Sequence, residues 1–169
     1  MKPGESDLIL NKSQIIQKVT RIAYEIYENN ILEKELVIAG IADGGYRLAE
    51  ILMSELRNIT PFKLKLVKIT LDKQGPLDSP VSMDCDISEV KNKVIILVDD
   101  VLHTGKTIIQ GMKPFLAVNV NKIQTVTLIN RSYTHFPVTS NYTGYQLSTT
   151  LNDHIQVQLE NKNFGVYLY

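Results

Sequence analysis

Apolar positions along the chain follow two spacings that take turns. After a short apolar run at Leu8 to Leu10, residues Ile15, Ile16, Val19, Ile22, Ala23, Ile26 and Tyr27 return on one face of a helical wheel. Asn11 or Ser13 can cap that helix, and Asn29 and Asn30 mark its end. Leu36 to Ile41 (LVIAGI) is unbroken apolar chain closed by Asp43-Gly44-Gly45, after which Leu48, Ala49, Ile51, Leu52 and Leu56 resume helical spacing. Lys63 to Thr70 sets Leu64, Leu66 and Ile69 among lysines and predicts a strand with one face open to water. Val94 to Val98 (VIILV) is the most apolar short run; it ends in Asp99-Asp100, and Thr104-Gly105-Lys106-Thr107 opens a helix through about Leu116. Ile123 to Ile129 reads as another buried strand, and Ile155 to Leu159 with Val166 to Leu168 as a half-exposed hairpin. Strands alternating with helices predict an α/β fold, a central mainly parallel sheet flanked by helices.

Between the third strand and the most apolar one, Leu71 to Glu89 holds Gly75, Pro76, Pro80 and several aspartates. A compact domain seldom leaves so long a stretch unstructured without a task for it, and a lid over a site is the usual one. The length of 169 residues fits one domain, 1–169, able to bury a core without disulfides or structural metal. Eighteen basic and eighteen acidic side chains cancel, so no global field draws the chain to nucleic acid or an acidic membrane. The lysines at 63, 65 and 68 read as a solvated sheet face without interleaved aromatics, which argues against RNA. Cys85, a lone cysteine, forms no internal disulfide and fits a reducing cytoplasm. Met1 to Asp7 is polar, and no run is long enough to span a bilayer. His135 and His154 lack metal-ligand spacing and read as surface residues.

Ligands of open parallel sheets bind beyond the carboxyl ends of the strands. Two turns at such ends are chemically unusual here. In the first, carboxylates at Asp99 and Asp100 precede Thr104, Gly105, Lys106 and Thr107 at a helix start. Unpaired N–H groups of a first helical turn, two hydroxyls and the close approach that glycine permits make a cradle for a phosphate monoester. Acids beside that cradle would repel the phosphate unless they accept from neutral hydroxyls or share a divalent cation with the ligand. A ribose 5-phosphate meets both demands. Singly, paired aspartates are ordinary turn and cap residues and Thr-Gly an ordinary loop dipeptide; the joint register carries the signal. Gly105-Lys106-Thr107 is no nucleotide-binding P-loop, because Asp100 stands where the upstream glycine is required. The dinucleotide fingerprint also fails at Gly40 to Gly45.

The segment Ile95 to Thr107 (IILVDDVLHTGKT) closely resembles the signature of type I phosphoribosyltransferases. These enzymes move ribose 5-phosphate from 5-phosphoribosyl-1-diphosphate (PRPP) to a nitrogenous base and release pyrophosphate. The likeness extends to Ala42, Asp43, Gly44 and Gly45, which lie where the family keeps its pyrophosphate loop, to the mobile catalytic loop at Leu71 to Glu89, and to a small C-terminal hood over the base. Within the family the chain is most similar to the bifunctional pyrimidine operon attenuator and uracil phosphoribosyltransferase group, through Ile69-Thr70-Leu71 and Asn130-Arg131-Ser132. The resemblance implies that Asp99 and Asp100 hold the ribose hydroxyls, directly or through Mg²⁺, that Thr104, Gly105, Lys106 and Thr107 bind the 5-phosphate, and that Ala42 to Gly45 face pyrophosphate. It makes Lys73 the candidate lid cation, against the reading of a solvated surface lysine. His103, acidic in purine-salvage members and commonly tyrosine in the attenuator group, is either a base contact or an exposed loop residue. Two departures stand out: Asp43-Gly44 replaces a Thr-Arg dipeptide, and the hood motif of the attenuator group appears as Thr143-Gly144-Tyr145-Gln146 and Ser148-Thr149-Thr150. The resemblance further implies a nucleobase partner, uracil or a purine, and a homodimer or higher homo-oligomer. The competing functions are a PRPP or nucleotide sensor that binds RNA and a diverged nucleotide-binding member of low activity.

Overall fold

The computed structural model describes residues 6–150, 153–160 and 163–169. In chain order its elements are β1 (Asp7–Asn11), α1 (Lys12–Asn29), β2 (Glu35–Ile41), α2 (Gly44–Ile59), β3 (Lys63–Leu71), β4 (Val81–Met83), β5 (Val94–Leu102), α3 (Lys106–Leu116), β6 (Lys122–Asn130), β7 (Tyr142–Gln146), β8 (Ile155–Gln158) and β9 (Gly165–Leu168). The main sheet runs β4-β3-β2-β5-β6-β7. All its neighbours are parallel except β4, which pairs antiparallel with β3. This is the α/β architecture that the alternating spacings predict.

The two most apolar runs form the two central strands. Leu36 to Ile41 and Val94 to Val98 are buried throughout, as strands covered by helices on both faces must be. On one face Ile15, Val19, Ile22 and Ile26 of α1 and Leu48, Leu52 and Leu56 of α2 pack on Leu36, Ile38, Val94 and Ile96. On the other, Ile108 and Phe115 of α3 meet Val37, Ala39, Ile41, Ile95 and Leu97. Helix α1 starts where the sequence places it: the Asn11 side chain accepts from the Gln14 N–H at 3.0 Å, and Gln14 returns the favour to the Asn11 N–H at 2.9 Å. Among the described residues no helix is long and apolar enough to cross a membrane.

Four expectations are corrected. Leu8 to Leu10 is part of a strand, β1, which pairs antiparallel with β9, while β9 pairs with β8. The hood is therefore a three-stranded sheet, β1-β9-β8, that both ends of the chain build, rather than a C-terminal hairpin alone. Its Leu10, Ile155 and Val166 join the apolar cluster beneath α1 and α2. The stretch from Leu71 to Glu89 is not loop throughout. β3 runs on to Leu71, β4 adds an edge strand and Ile87–Glu89 forms a 3-10 turn, which leaves a shorter loop at 72–80. The face of β3 that carries Lys65 is not open to water along its length, because Val67 and Ile69 on the same side are buried under the α3 layer. Finally, Thr143-Gly144-Tyr145-Gln146 belongs to β7, the last strand of the main sheet, and not to the hood.

Candidate active site

The turns after β2 and β5 lie side by side at the carboxyl end of the sheet, because these strands are parallel neighbours in register from Leu36↔Val94 to Gly40↔Val98. Contact between the turns is so close that side chains are barred from one of them. A Cβ on Gly45 would stand 2.7 Å from the Asp99 Cα, and one on Gly44 would run into the Asp100 carboxylate. The two glycines after Asp43 thus let the first turn of α2 lie against the paired acids. The Ala42–Asp43 peptide is cis, and the Ala42 N–H donates to the Ile69 carbonyl at 2.8 Å.

Asp99 is buried, with 2% exposure, while Asp100 is half-buried and accepts the Val101 N–H at 3.0 Å. Burial, reinforced by the charge of Asp100, pushes the Asp99 carboxyl up to about 8, although Lys73 pulls it the other way. Lys73 Nζ lies 3.3 Å from Asp99 Oδ1. Burial works against the charge on Lys73, but Asp99, Asp100 and Asp43 outweigh it and leave its pKa raised. Lys73, the loop lysine singled out from sequence, therefore stands beside the acids.

The next turn is clamped from outside. Its Thr104 carbonyl accepts N–H groups from His135 at 2.9 Å and Phe136 at 3.1 Å. Gly105 has φ +88°, a left-handed conformation that side chains resist, and it serves as the N-cap of α3 with no side chain of its own to cap it, while the Lys106 N–H makes a long 3.4 Å bond to the Thr104 hydroxyl. Uncapped first-turn N–H groups at a helix start are an anion seat. They line a cavity of about 220 Å³ together with Lys73, Asp99, Thr104 and Thr107. The Lys106 ammonium points elsewhere: it donates to the Gly75 carbonyl of the lid at 2.5 Å. His103 is exposed and stacks with Tyr133 at 5.8 Å between ring centroids. Partial desolvation lowers its pKa from the ordinary histidine value, helped by the charge of Arg131 and by His135.

A second cavity of about 260 Å³ joins Asp99, Asp100, His103 and Thr107 to Arg131 and His154. His154, read from sequence as a surface residue, is indeed exposed but stands at this rim. A wider cleft of about 710 Å³ separates Asp43, Gly44 and Arg47 from the hood segment Gln156 to Glu160.

Three residues at the site receive no role from the sequence, although Arg131 stands in the Asn130-Arg131-Ser132 likeness. Arg131, 8% exposed, ties the hood approach to β6 through Nε to Thr149 Oγ1 at 2.9 Å and Nη2 to the Thr150 and Asp153 carbonyls at 3.2 and 3.1 Å. Arg47, in the first turns of α2, pairs with Glu50 at 2.8 Å and with Glu160 of the hood. With Tyr46, Lys68 and Glu160 it lines a cavity around Asp43. Gln110 reaches the lid from α3. An arginine following directly on an Asn at a strand end, as in Asn130-Arg131, was the one sequence signal available; a helical Arg or Gln carries none.

A parallel sheet under a small antiparallel hood, with paired acids running into an uncapped helix start, defines a type I phosphoribosyltransferase fold. Known proteins agree. The phosphoribosyl transferase domain model matches residues 5–162, and the chain belongs to the phosphoribosyltransferase family. It is 31% identical over 166 residues to the bifunctional protein PyrR of Bacillus subtilis, covering 93% of this chain and 92% of the relative. It is 32% identical over 166 residues to the bifunctional protein PyrR of Bacillus pumilus, covering 90% and 89%. Among solved structures, the hypoxanthine phosphoribosyltransferase of Trypanosoma cruzi superposes with a TM-score of 0.80 at 12% identity over 96% of this chain and 95% of that one. A hypoxanthine-guanine phosphoribosyltransferase of Bacillus anthracis gives 0.78 at 16% identity, covering 95% and 96%.

Proposed function

We propose that the protein transfers ribose 5-phosphate from PRPP to uracil or a purine, with release of pyrophosphate, at the turn that joins β5 to α3. The observation that carries this reading is the junction itself: an acid pair, Asp99 buried and Asp100 half-buried, leads into a helix start whose glycine is left-handed, with the loop lysine Lys73 laid on the buried acid. In this reading Asp99 and Asp100 accept from the ribose 2′ and 3′ hydroxyls. Backbone N–H groups at Gly105 to Thr107, with the hydroxyls of Thr104 and Thr107, hold the 5-phosphate. The amides of Asp43 to Gly45 face pyrophosphate, the Ala42 N–H being held by the Ile69 carbonyl, and Arg47 and Lys68 supply positive charge there. Charge changes most at the anomeric carbon and on the leaving pyrophosphate, so the cation on Lys73 contributes where the transition state needs it. A neutral His103 can accept from or donate to a base edge.

Mg²⁺ fits this donor set. Carboxylate oxygens suit a hard cation, and two acids without a third ligand group among the described residues match an ion completed by ligand oxygens rather than a protein cage. When bound, it would be held by Asp99 and Asp100 and would neutralise the developing charge on oxygen. The RNA-sensor alternative gains nothing from β3, where Lys65 pairs with Glu89 and Lys68 lies over the Tyr46 ring at 5.4 Å. The working unit in this reading is a cytoplasmic homodimer or higher homo-oligomer of one-domain chains.

The test is a pyrophosphate-release screen of uracil, hypoxanthine, guanine, xanthine, adenine and orotate with PRPP and Mg²⁺. Release with one base is expected. No release with any of them, alongside saturable PRPP binding, would replace the transferase reading by a sensor.

A further inference from the structure

The loop at 72–80 is held down by a single stripe of α3. Lys106, Gln110 and Lys113, spaced to lie on one face of the helix, donate in order to the carbonyls of Gly75, Pro76 and Leu77. The outer two are lysines whose stems reach in from solvent. The middle one is a glutamine with no exposure at all. Its Nε2 donates to Pro76 O at 2.9 Å, while its Oε1 is buried with no partner among the described residues. A buried amide oxygen without a donor is costly, and at this position the side chain is wholly shielded from water. Packing alone would favour methionine or leucine at this position. The donor explains the glutamine.

The loop itself is stiff enough to pass that contact on. Asp72 accepts the Gln74 N–H through its side chain at 2.9 Å and the Gly75 N–H through its carbonyl at 3.3 Å. Pro76 O, besides accepting from Gln110, accepts the Ser79 N–H at 3.0 Å. Lys73 therefore sits inside a closed turn whose far end is pinned by Gln110, and its ammonium meets Asp99.

We propose that Gln110 is the positioning residue of the lid: it fixes Pro76 on α3 and thereby sets Lys73 over the buried acid of the site. The proposal rests on the assignment of Lys73 as the lid cation for its kinetic consequence, but not for its structural one. Gln110 touches no reacting group and acts through Lys73.

The experiment compares full-length wild type with Gln110→Met, which keeps length and volume and removes the donor; Gln110→Leu serves if methionine is not tolerated. Trypsin cleavage after Lys73, followed by mass spectrometry, should be about five- to tenfold faster in the variant, the equivalent of one hydrogen bond. Cleavage at lysines outside the loop should be unchanged. With a base that supports transfer, kcat should fall by a similar factor while KM for the base is kept, and K73M/Q110M should be no slower than K73M alone. Wild-type cleavage after Lys73, a uniform rise in cleavage over the whole chain, or additive losses in the double variant would overturn the proposal. If no base supports transfer, the cleavage comparison alone still decides, so failure of the enzymatic reading is not mistaken for failure of the seat.

Discussion

The ammonium of Lys73, carried on the loop between β3 and β4, stands 3.3 Å from Oδ1 of Asp99, an acid that is 2% exposed. An acid held up to about 8 keeps its proton at neutral pH, so any ligand that requires the carboxylate must displace that proton. PRPP affinity in the presence of Mg²⁺ should therefore rise by up to about tenfold per pH unit below 8 and level off above it, with a proton released on binding. Calorimetry in buffers of different ionisation enthalpy measures both. An affinity independent of pH from 6 to 9 would remove Asp99 from the contact.

The same shift predicts stability. Because the folded pKa of Asp99 lies above its usual 3.8, the unfolded chain gains from ionisation before the folded chain can. The fold is thus relatively favoured below about 4 and loses that advantage as pH rises towards 8. Asp99→Asn should match wild type in urea melts at the acid end and exceed it at pH 8, while binding no PRPP. Asp100→Asn should also lose PRPP, and because it removes the charge that reinforces the shift of Asp99, it should weaken the pH dependence of stability without abolishing it.

Gly105 has φ +88°, and any side chain there meets left-handed strain of about 1–2 kcal/mol. Gly105→Ala should lower Tm by about 2–6 °C and weaken phosphate or PRPP binding more than the melting shift explains, because the helix start rotates away from its anion seat. A variant with wild-type Tm and affinity would show that the turn tolerates a right-handed form.

Arg131 holds the approach to the hood with hydrogen bonds to Thr149, Thr150 and Asp153. Arg131→Met keeps the stem and leaves those acceptors to water. Urea unfolding should report a loss of about 2–3 kcal/mol, the range for bonds to a charged donor. Transfer activity should fall further, since Arg131 and His103 line one cavity with the two acids.

What sequence made legible follows from how local each signal is. β2 and β5 announce themselves because a fully buried strand must be apolar at consecutive positions, and the acids and Thr-Gly turn follow directly in chain order. β1, β4 and β7 carry no such mark. β1 alternates weakly, β4 is three residues long, and β7 contains Gly144, so their pairing is decided by partners far along the chain. The loop lysine was legible as a candidate because it sits in a lid-like segment, yet only the fold brings it to Asp99. The roles of Arg47, Gln110 and Arg131, the last visible only as part of a motif, are hidden for the opposite reason. Polar residues on helices and strand ends are ordinary, and what sets these apart is a contact with a segment remote in sequence.

Asn11 closes β1 and, in the same residue, caps α1. No slack separates roof from wall: the strand that completes the hood is the stem of a helix that packs beside α2 over the β6–β7 side of the sheet. A displacement of the hood therefore finds no free linker to absorb it and would have to be taken up at Asn11 or within α1 itself.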